Sequence, residues 1–261
     1  MSPQHWYERR WVTLIMAAAL VLLVWAGLAR WIGLDSFPGP GPALRELPAL
    51  IADPTAWSAI LQSLGRMFAG YGLALVVAVP LGLAMGRSRL VYTLFYPLVA
   101  LAYPMPKAAL MPILMLWFGL GDFSKILVIA MGVSLPLLYH SYHGACRIEP
   151  KLVWVAQSMG MGPLARLGKV VLPAALPEVM IGCRVGVVMA LIVMVSSEMI
   201  ARQEGIGNLL FTSMDMAQYP TVYAVIMLLA VLGIACDALF EQVRKRCTRW
   251  YDSAQALIDK G

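Results

Sequence analysis

The sequence predicts an all-α, polytopic integral membrane protein with six transmembrane helices. Three observations lead there. Of 261 residues, 61% are hydrophobic and only 13% charged, where a soluble domain carries about 25% charged residues. Apolar runs of about 20 residues recur along the chain, the length a helix needs to cross a bilayer. Lysine and arginine also gather in alternate connections between those runs. Lipid offers the backbone no hydrogen bonds, so such runs must satisfy their own polar groups as helices.

Trp11 to Ala29 contains no charge and follows Arg9-Arg10. It exceeds the roughly 7–15 residue apolar core of a signal peptide and reads as a retained first span. "LDSFPGPGPALRELPALIADPT" is a Pro/Gly-rich connection, expected to lead into an amphipathic surface helix near Ala56 to Leu64. Met67 to Gly86 is the second span, closed by the turn "RSR". Leu90 to Gly121 is the third, interrupted by "YPMPK" (Tyr103 to Lys107), whose prolines break or kink the helix. Ile126 to His143 is the fourth span, and Val179 to Ile200 the fifth, with Arg184 and Glu198 inside it. "RQEGIGNLLFTSMDMAQYP" joins it to the sixth, Thr221 to Phe240, and "EQVRKRCTRW" opens the tail. Residues 1–261 read as one transmembrane domain without an internal repeat.

The positive-inside rule orients this arrangement. With the N-terminus inside, the cytoplasmic segments hold Arg9, Arg10, Arg87, Arg89, Arg147, Lys151, Arg166, Lys169, the Arg244 to Arg249 group and Lys260. The opposite side holds Arg30, Arg45, Lys125 and Arg202, with Arg66 at its edge. The net charge of +6 is therefore a membrane signature and does not call for nucleic acid. Cys146, Cys183, Cys236 and Cys247 lack C-x-x-C spacing and read as small buried hydrophobes. His140 and His143 stand near a helix end with no obvious carboxylate on their face, so interfacial packing is expected in place of metal binding.

Between the fourth and fifth spans lies "AQSMGMGPLARLGKVVLPAALP", Ala156 to Pro177. Pro150 can open a helix, with Leu152, Val155, Ala156 and Met159 on one face. Gly160 and Gly162 stop it. Pro163 begins a second helix with Leu164, Leu167 and Val171 on one stripe and Arg166 and Lys169 off it, and Pro173 and Pro177 are expected to end it. Such a bent, apolar element can lie on anionic lipid or seat in a groove of a cytoplasmic partner; the bend suits the partner better.

The loop, about residues 147–177, resembles the Glu-Ala-Ala loop of ABC importer permeases. Ala156, Gly160, Val170 and Leu172-Pro173 stand at the family spacing, while Trp154 and Val155 replace the family's Glu and first Ala. The resemblance runs from about Leu61 to Leu239. "PMPKAALMPILMLWFGLGDFSKI", "VVLPAALPEVMIGCRVG", Glu198 and "EGIGNLL" are similar to the branch handling sulfonates, taurine, nitrate and related small solutes.

The resemblance implies a permease of the bacterial inner membrane, both termini cytoplasmic, surrounded by lipid and paired with a second copy of itself. Trp154, Val155, Ala156, Gly160, Arg166, Lys169, Leu172 and Pro173 would form the coupling loop. It would seat in two cytoplasmic ATPase subunits, which would carry ATP and Mg²⁺, and an extracytoplasmic binding protein would deliver the solute. This chain has no G-x-x-x-x-G-K-[ST] loop, so neither catalysis nor a cofactor of its own is expected. Ionisable residues inside spans are costly and point to function. Lys107, Arg184 and Glu198, with Gly205 and Gly207, are the pathway or gate candidates, expected to serve architecture or gating before selectivity; the plainer reading pairs Arg184 with carboxylate or carbonyl groups near the inner membrane face. The rival reading is an ion-coupled secondary transporter that works without an ATPase.

Overall fold

The computed structural model of the chain describes residues 4–250, the side chains of residues 1–11 and 14 excepted. Lys260 and the side chains of Arg9 and Arg10, counted above as cytoplasmic, lie outside what is described. All regular structure among the described residues is helical: α1 (Gln4–Ile32), α2 (Pro40–Ala52), α3 (Pro54–Arg87), α4 (Arg89–Ala102), a 3₁₀ turn (Lys107–Leu110), α5 (Met111–Phe118), α6 (Asp122–Cys146), α7 (Pro150–Ser158), α8 (Pro163–Arg166), a π turn (Leu167–Val171), α9 (Leu172–Ala201), α10 (Ile206–Asp215) and α11 (Tyr219–Cys247). Five helical stretches are long and apolar enough to cross a membrane, and a sixth results if α4 and Lys107–Phe118, bent by 87° at their junction, form one broken span. The break falls at the prolines of "YPMPK", as expected.

The chain divides into two compact units, residues 1–58 with 209–230, and residues 59–208 with 231–261. In the first, Tyr223 of α11 stacks near Trp25 of α1 with ring centroids 5.5 Å apart, and Phe37 meets it edge-on at 5.8 Å. The Trp25 indole donates to Pro38 O at 3.0 Å, which fastens the Pro/Gly connection.

In the second unit, α6 packs against α3 and α9 through glycines. Gly70, Ala74, Ala78, Gly82 and Gly86 fall four apart on one side of α3. A Cβ at Gly70 would stand 2.8 Å from Ile129 Cβ, and one at Gly82 would stand 2.8 Å from Ser141 Cβ. On α9 a Cβ at Gly182 would stand 2.7 Å from His140 Cβ. Lipid tails are as apolar as leucine, so helices in a membrane gain by close packing at small residues.

Three boundaries depart from the sequence expectation. The helix expected near Ala56 to Leu64 is not separate, because α3 runs unbroken from Pro54 to Arg87. Asp53 starts it: its carboxylate accepts from Thr55 N at 2.8 Å and from Thr55 Oγ1 at 2.7 Å, with Pro54 in the first turn. The Thr55 hydroxyl and then its N–H hold the Asp53 carboxyl below the usual carboxylate range. The amphipathic helix lies earlier instead, as α2. Pro173 and Pro177 do not end the helix they follow, which continues through the π turn into α9. There Leu172 N donates to Leu167 O, and the wider turn makes room for a residue that cannot donate. Finally, α11 extends past Phe240 to Cys247, with Arg244, Lys245 and Arg246 in the last turn, where cations complement the helix dipole. Among the cysteines, Cys183 is buried but Cys146 is exposed, contrary to expectation.

Candidate functional site

Three places in the second unit gather the residues singled out by the sequence: a glycine corner and an ion cluster toward opposite ends of α9, and a cavity alongside it.

The corner follows α7. Gly160 has φ +77°, its N–H donates to Gln157 O at 2.9 Å, and Met161 N donates to Ala156 O at 3.1 Å. These are the paired bonds of a Schellman motif, which glycine closes because its left-handed backbone carries no Cβ penalty. Ala156 is buried beneath the turn, whereas Leu152, Trp154, Val155, Met159 and Leu164 are exposed, Trp154 by 62% and Leu164 by 85%. Arg166 ends α8, Lys169 lies on the π turn, and Leu172 and Pro173 begin α9.

The ion cluster centres on Glu198, which is 0% exposed. Its carboxylate accepts from Arg66 Nη1 at 2.9 Å, from Ser63 Oγ at 2.8 Å and from Gly207 N at 3.0 Å. Ser63 Oγ accepts in turn from Ile206 N at 2.9 Å. Arg66 also donates to Asp122 Oδ1 at 2.6 Å, to Glu204 O at 2.7 Å and to Gln62 Oε1 at 2.9 Å. Lys125 is buried, with Arg66, Glu198, Asp122 and Glu204 as its charged neighbours. Gly205 has φ +140°, and a Cβ there would collide with the Glu198 carboxylate. At Gly207 a Cβ would stand 2.8 Å from Glu198 Cβ. Glu198, Gly205 and Gly207 thus meet, as does Arg66, which the sequence reading left at the membrane edge. Ser63, Asp122 and Lys125 were missed as members. The available signal was "QSLGR", which sets Gln62 and Ser63 one turn before a cation on an apolar helix.

Lys107 and Arg184 lie apart from this cluster. Lys107 Nζ donates to Ala102 O, to Met105 O at 2.7 Å and to Tyr103 O at 3.4 Å. A cation here satisfies carbonyls freed at the end of α4. Lys107→Met is expected to cost about 1–3 kcal/mol, visible as a lower thermal midpoint in detergent. Arg184 forms a two-bond pair with Asp237 of α11, both at 2.8 Å. The carboxylate alternative therefore describes its surroundings, and the partner is an acid inside the sixth span that the sequence reading passed over.

A cavity of about 840 Å³ opens between α4, the break, α6 and α9, with Tyr96, Tyr103, Lys107, Tyr139, His140 and Met189 in its wall. His140 has a carboxylate partner after all: Glu178 Oε1 lies 3.0 Å from Nδ1, and Glu178 Oε2 accepts from Arg147 at 2.9 Å.

The fold is that of a polytopic helical membrane protein. A family described as "Binding-protein-dependent transport system inner membrane component" matches residues 78–249. The taurine transport system permease protein TauC of Escherichia coli (strain K12) is 30% identical over 96% of this chain and 94% of its own length. The putative aliphatic sulfonates transport permease protein SsuC of the same organism is 28% identical over 88% of each chain. The fold is shared with a chain of the MetNI methionine ABC transporter, described in inward-facing conformations, at TM-score 0.66 and 16% identity, over 76% of this chain and 99% of that one. The chain belongs to the binding-protein-dependent transport system inner membrane components, the permeases of ABC transporters.

Proposed function

We propose that this chain and a second copy form the translocation pathway of an ATP-driven importer for a small oxyanion such as a sulfonate, taurine or nitrate. Residues 1–261 act as one permease domain with both termini in the cytoplasm. A binding protein delivers solute from outside, and two ATPase subunits, carrying ATP and Mg²⁺, seat the corner. The observation that carries this is the corner itself: a rigid Schellman turn displaying tryptophan, leucine and methionine to solvent. Water penalises such a patch, and a groove on a soluble partner would cover it. The oxyanion rests on what the relatives are named for.

The test is affinity purification in mild detergent with the neighbouring reading frames co-expressed. Gly160 has φ +77°, so Gly160→Trp strains the backbone by about 1–2 kcal/mol, and because nothing lies within 4 Å of a Cβ built there the new side chain fills the space a partner would occupy. A Walker-type ATPase should co-purify with the wild type and with Gly160→Asn, which tolerates this conformation, and should be lost with Gly160→Trp. A chain that transports with no ATPase bound would overturn the reading in favour of an ion-coupled carrier.

A further inference from the structure

The cavity wall contains two side chains able to carry positive charge, and they are not equivalent. Lys107 already spends its donors on the carbonyls of Ala102, Tyr103 and Met105. His140 does not, because only Nδ1 is engaged, by Glu178 Oε1 at 3.0 Å. Its side chain keeps 21% exposure, and Nε2 has no protein partner among the described residues. Glu178 is itself held by Arg147 at 2.9 Å, and Tyr139 packs edge-on against the imidazole at 5.5 Å. The ring is thus held at Nδ1 in the cavity wall, with Nε2 unengaged.

We propose that His140 is the oxyanion-binding residue of the cavity, Glu178 and Arg147 serving as its positioning residues. With Nδ1–H donated to Glu178, Nε2 is an acceptor in the neutral ring and a donor in the imidazolium. An oxyanion is therefore taken by the imidazolium alone, through a charge-assisted hydrogen bond, and Tyr96, Tyr103 and Tyr139 line the same wall. The titratable and charged groups around the ring are Tyr139 and His143 on α6, Arg147 just beyond it, Glu178 on α9 and Lys107 across the cavity. The inference rests on the importer reading, since it takes the cavity as part of the pathway.

The chain has three histidines, so ¹⁵N-histidine NMR of the full chain in nanodiscs can resolve each ring, with His143→Gln to assign them. Methanesulfonate should move the His140 signal saturably toward the imidazolium pattern, and a neutral sugar should not. An unmoved His140 signal would overturn the proposal. So would a shift already produced by phosphatidylglycerol in the nanodisc and unchanged by methanesulfonate, which would assign the site to a lipid phosphate. In proteoliposomes with the co-purified partners, His140→Gln should raise KM for methanesulfonate about ten-fold with Vmax unchanged. A fall in Vmax alone would reduce His140 to a tie between α6 and α9. A responsive His140 without any co-purifying ATPase would leave the site standing and remove the importer. A silent His140 with an ATPase bound would do the reverse.

Discussion

Glu198→Ala is expected to destabilise the protein by about 3–5 kcal/mol, because it strands a buried cation. Arg66 would keep Asp122, Gln62 and the Glu204 carbonyl, but Asp122 is 64% exposed and its attraction is screened by water. Ser63 Oγ would lose its acceptor, and Gly207 N would lose the carboxylate oxygen 3.0 Å away. Glu198→Gln keeps the shape and one acceptor oxygen, so its cost should be intermediate. The informative partner is Arg66→Met combined with Glu198→Met. If the cost arises from an unpaired charge and not from lost packing, the double variant should recover much of what either single variant loses. Thermal midpoints in detergent measure this, with Glu198→Ala expected to fall on the order of 10 °C. An additive double variant would mean that the two side chains act independently.

The turn that Glu198 holds also tests its role. Ile206 N and Gly207 N, at the start of α10, reach the carboxylate through Ser63 and directly, and the Glu204 carbonyl is bound by Arg66 at 2.7 Å. One acid therefore ties α3, α9 and the 204–207 turn together. Its weakening should release that turn before the helices separate, so proteolysis should first cut near Arg202.

The membrane spans were legible because lipid imposes one rule on every residue of a segment, and a run of apolar side chains records it locally. The break at Tyr103 to Lys107 and the corner at Gly160 were legible for a similar reason, since proline and left-handed glycine act on their own backbone. The residues that meet at the sites are a different matter. Ser63 and Glu198 are 135 positions apart, and His140 and Glu178 are 38 apart, so spacing along the chain carries no trace of either pair. The cluster around Arg66 was hidden for that reason: a charge reads as the end of a span unless its counter-ion is known, and here the counter-ion lies on α9. The continuation of α8 into α9 was hidden by the π turn, whose altered hydrogen-bond register has no residue signature comparable to a proline.

Gly82→Leu should be the most damaging change in the α3–α6 contact, and it separates packing from propensity within one helix. An ideal Cβ at Gly82 would stand 2.6 Å from Leu138 O and 3.1 Å from Tyr142 N. Those atoms are backbone of α6, which cannot rotate aside as a side chain can. The helices must part, losing dispersion contacts on both faces, and the cost should be at least the upper end of the roughly 1–3 kcal/mol typical of overpacking. Even Gly82→Ala should destabilise, although alanine is the better helix former by about 1 kcal/mol. Gly72, ten residues earlier on α3, supplies the opposite case, because nothing lies within 4 Å of a Cβ built there. Gly72→Ala should therefore raise the thermal midpoint, through the helix preference alone, while Gly82→Ala lowers it. Equal responses would mean that α3 and α6 do not approach as closely as these glycines require. Opposite signs would locate the stability of this part of the fold in the backbone approach of α3 to α6, not in the apolar character that both helices share with the lipid around them.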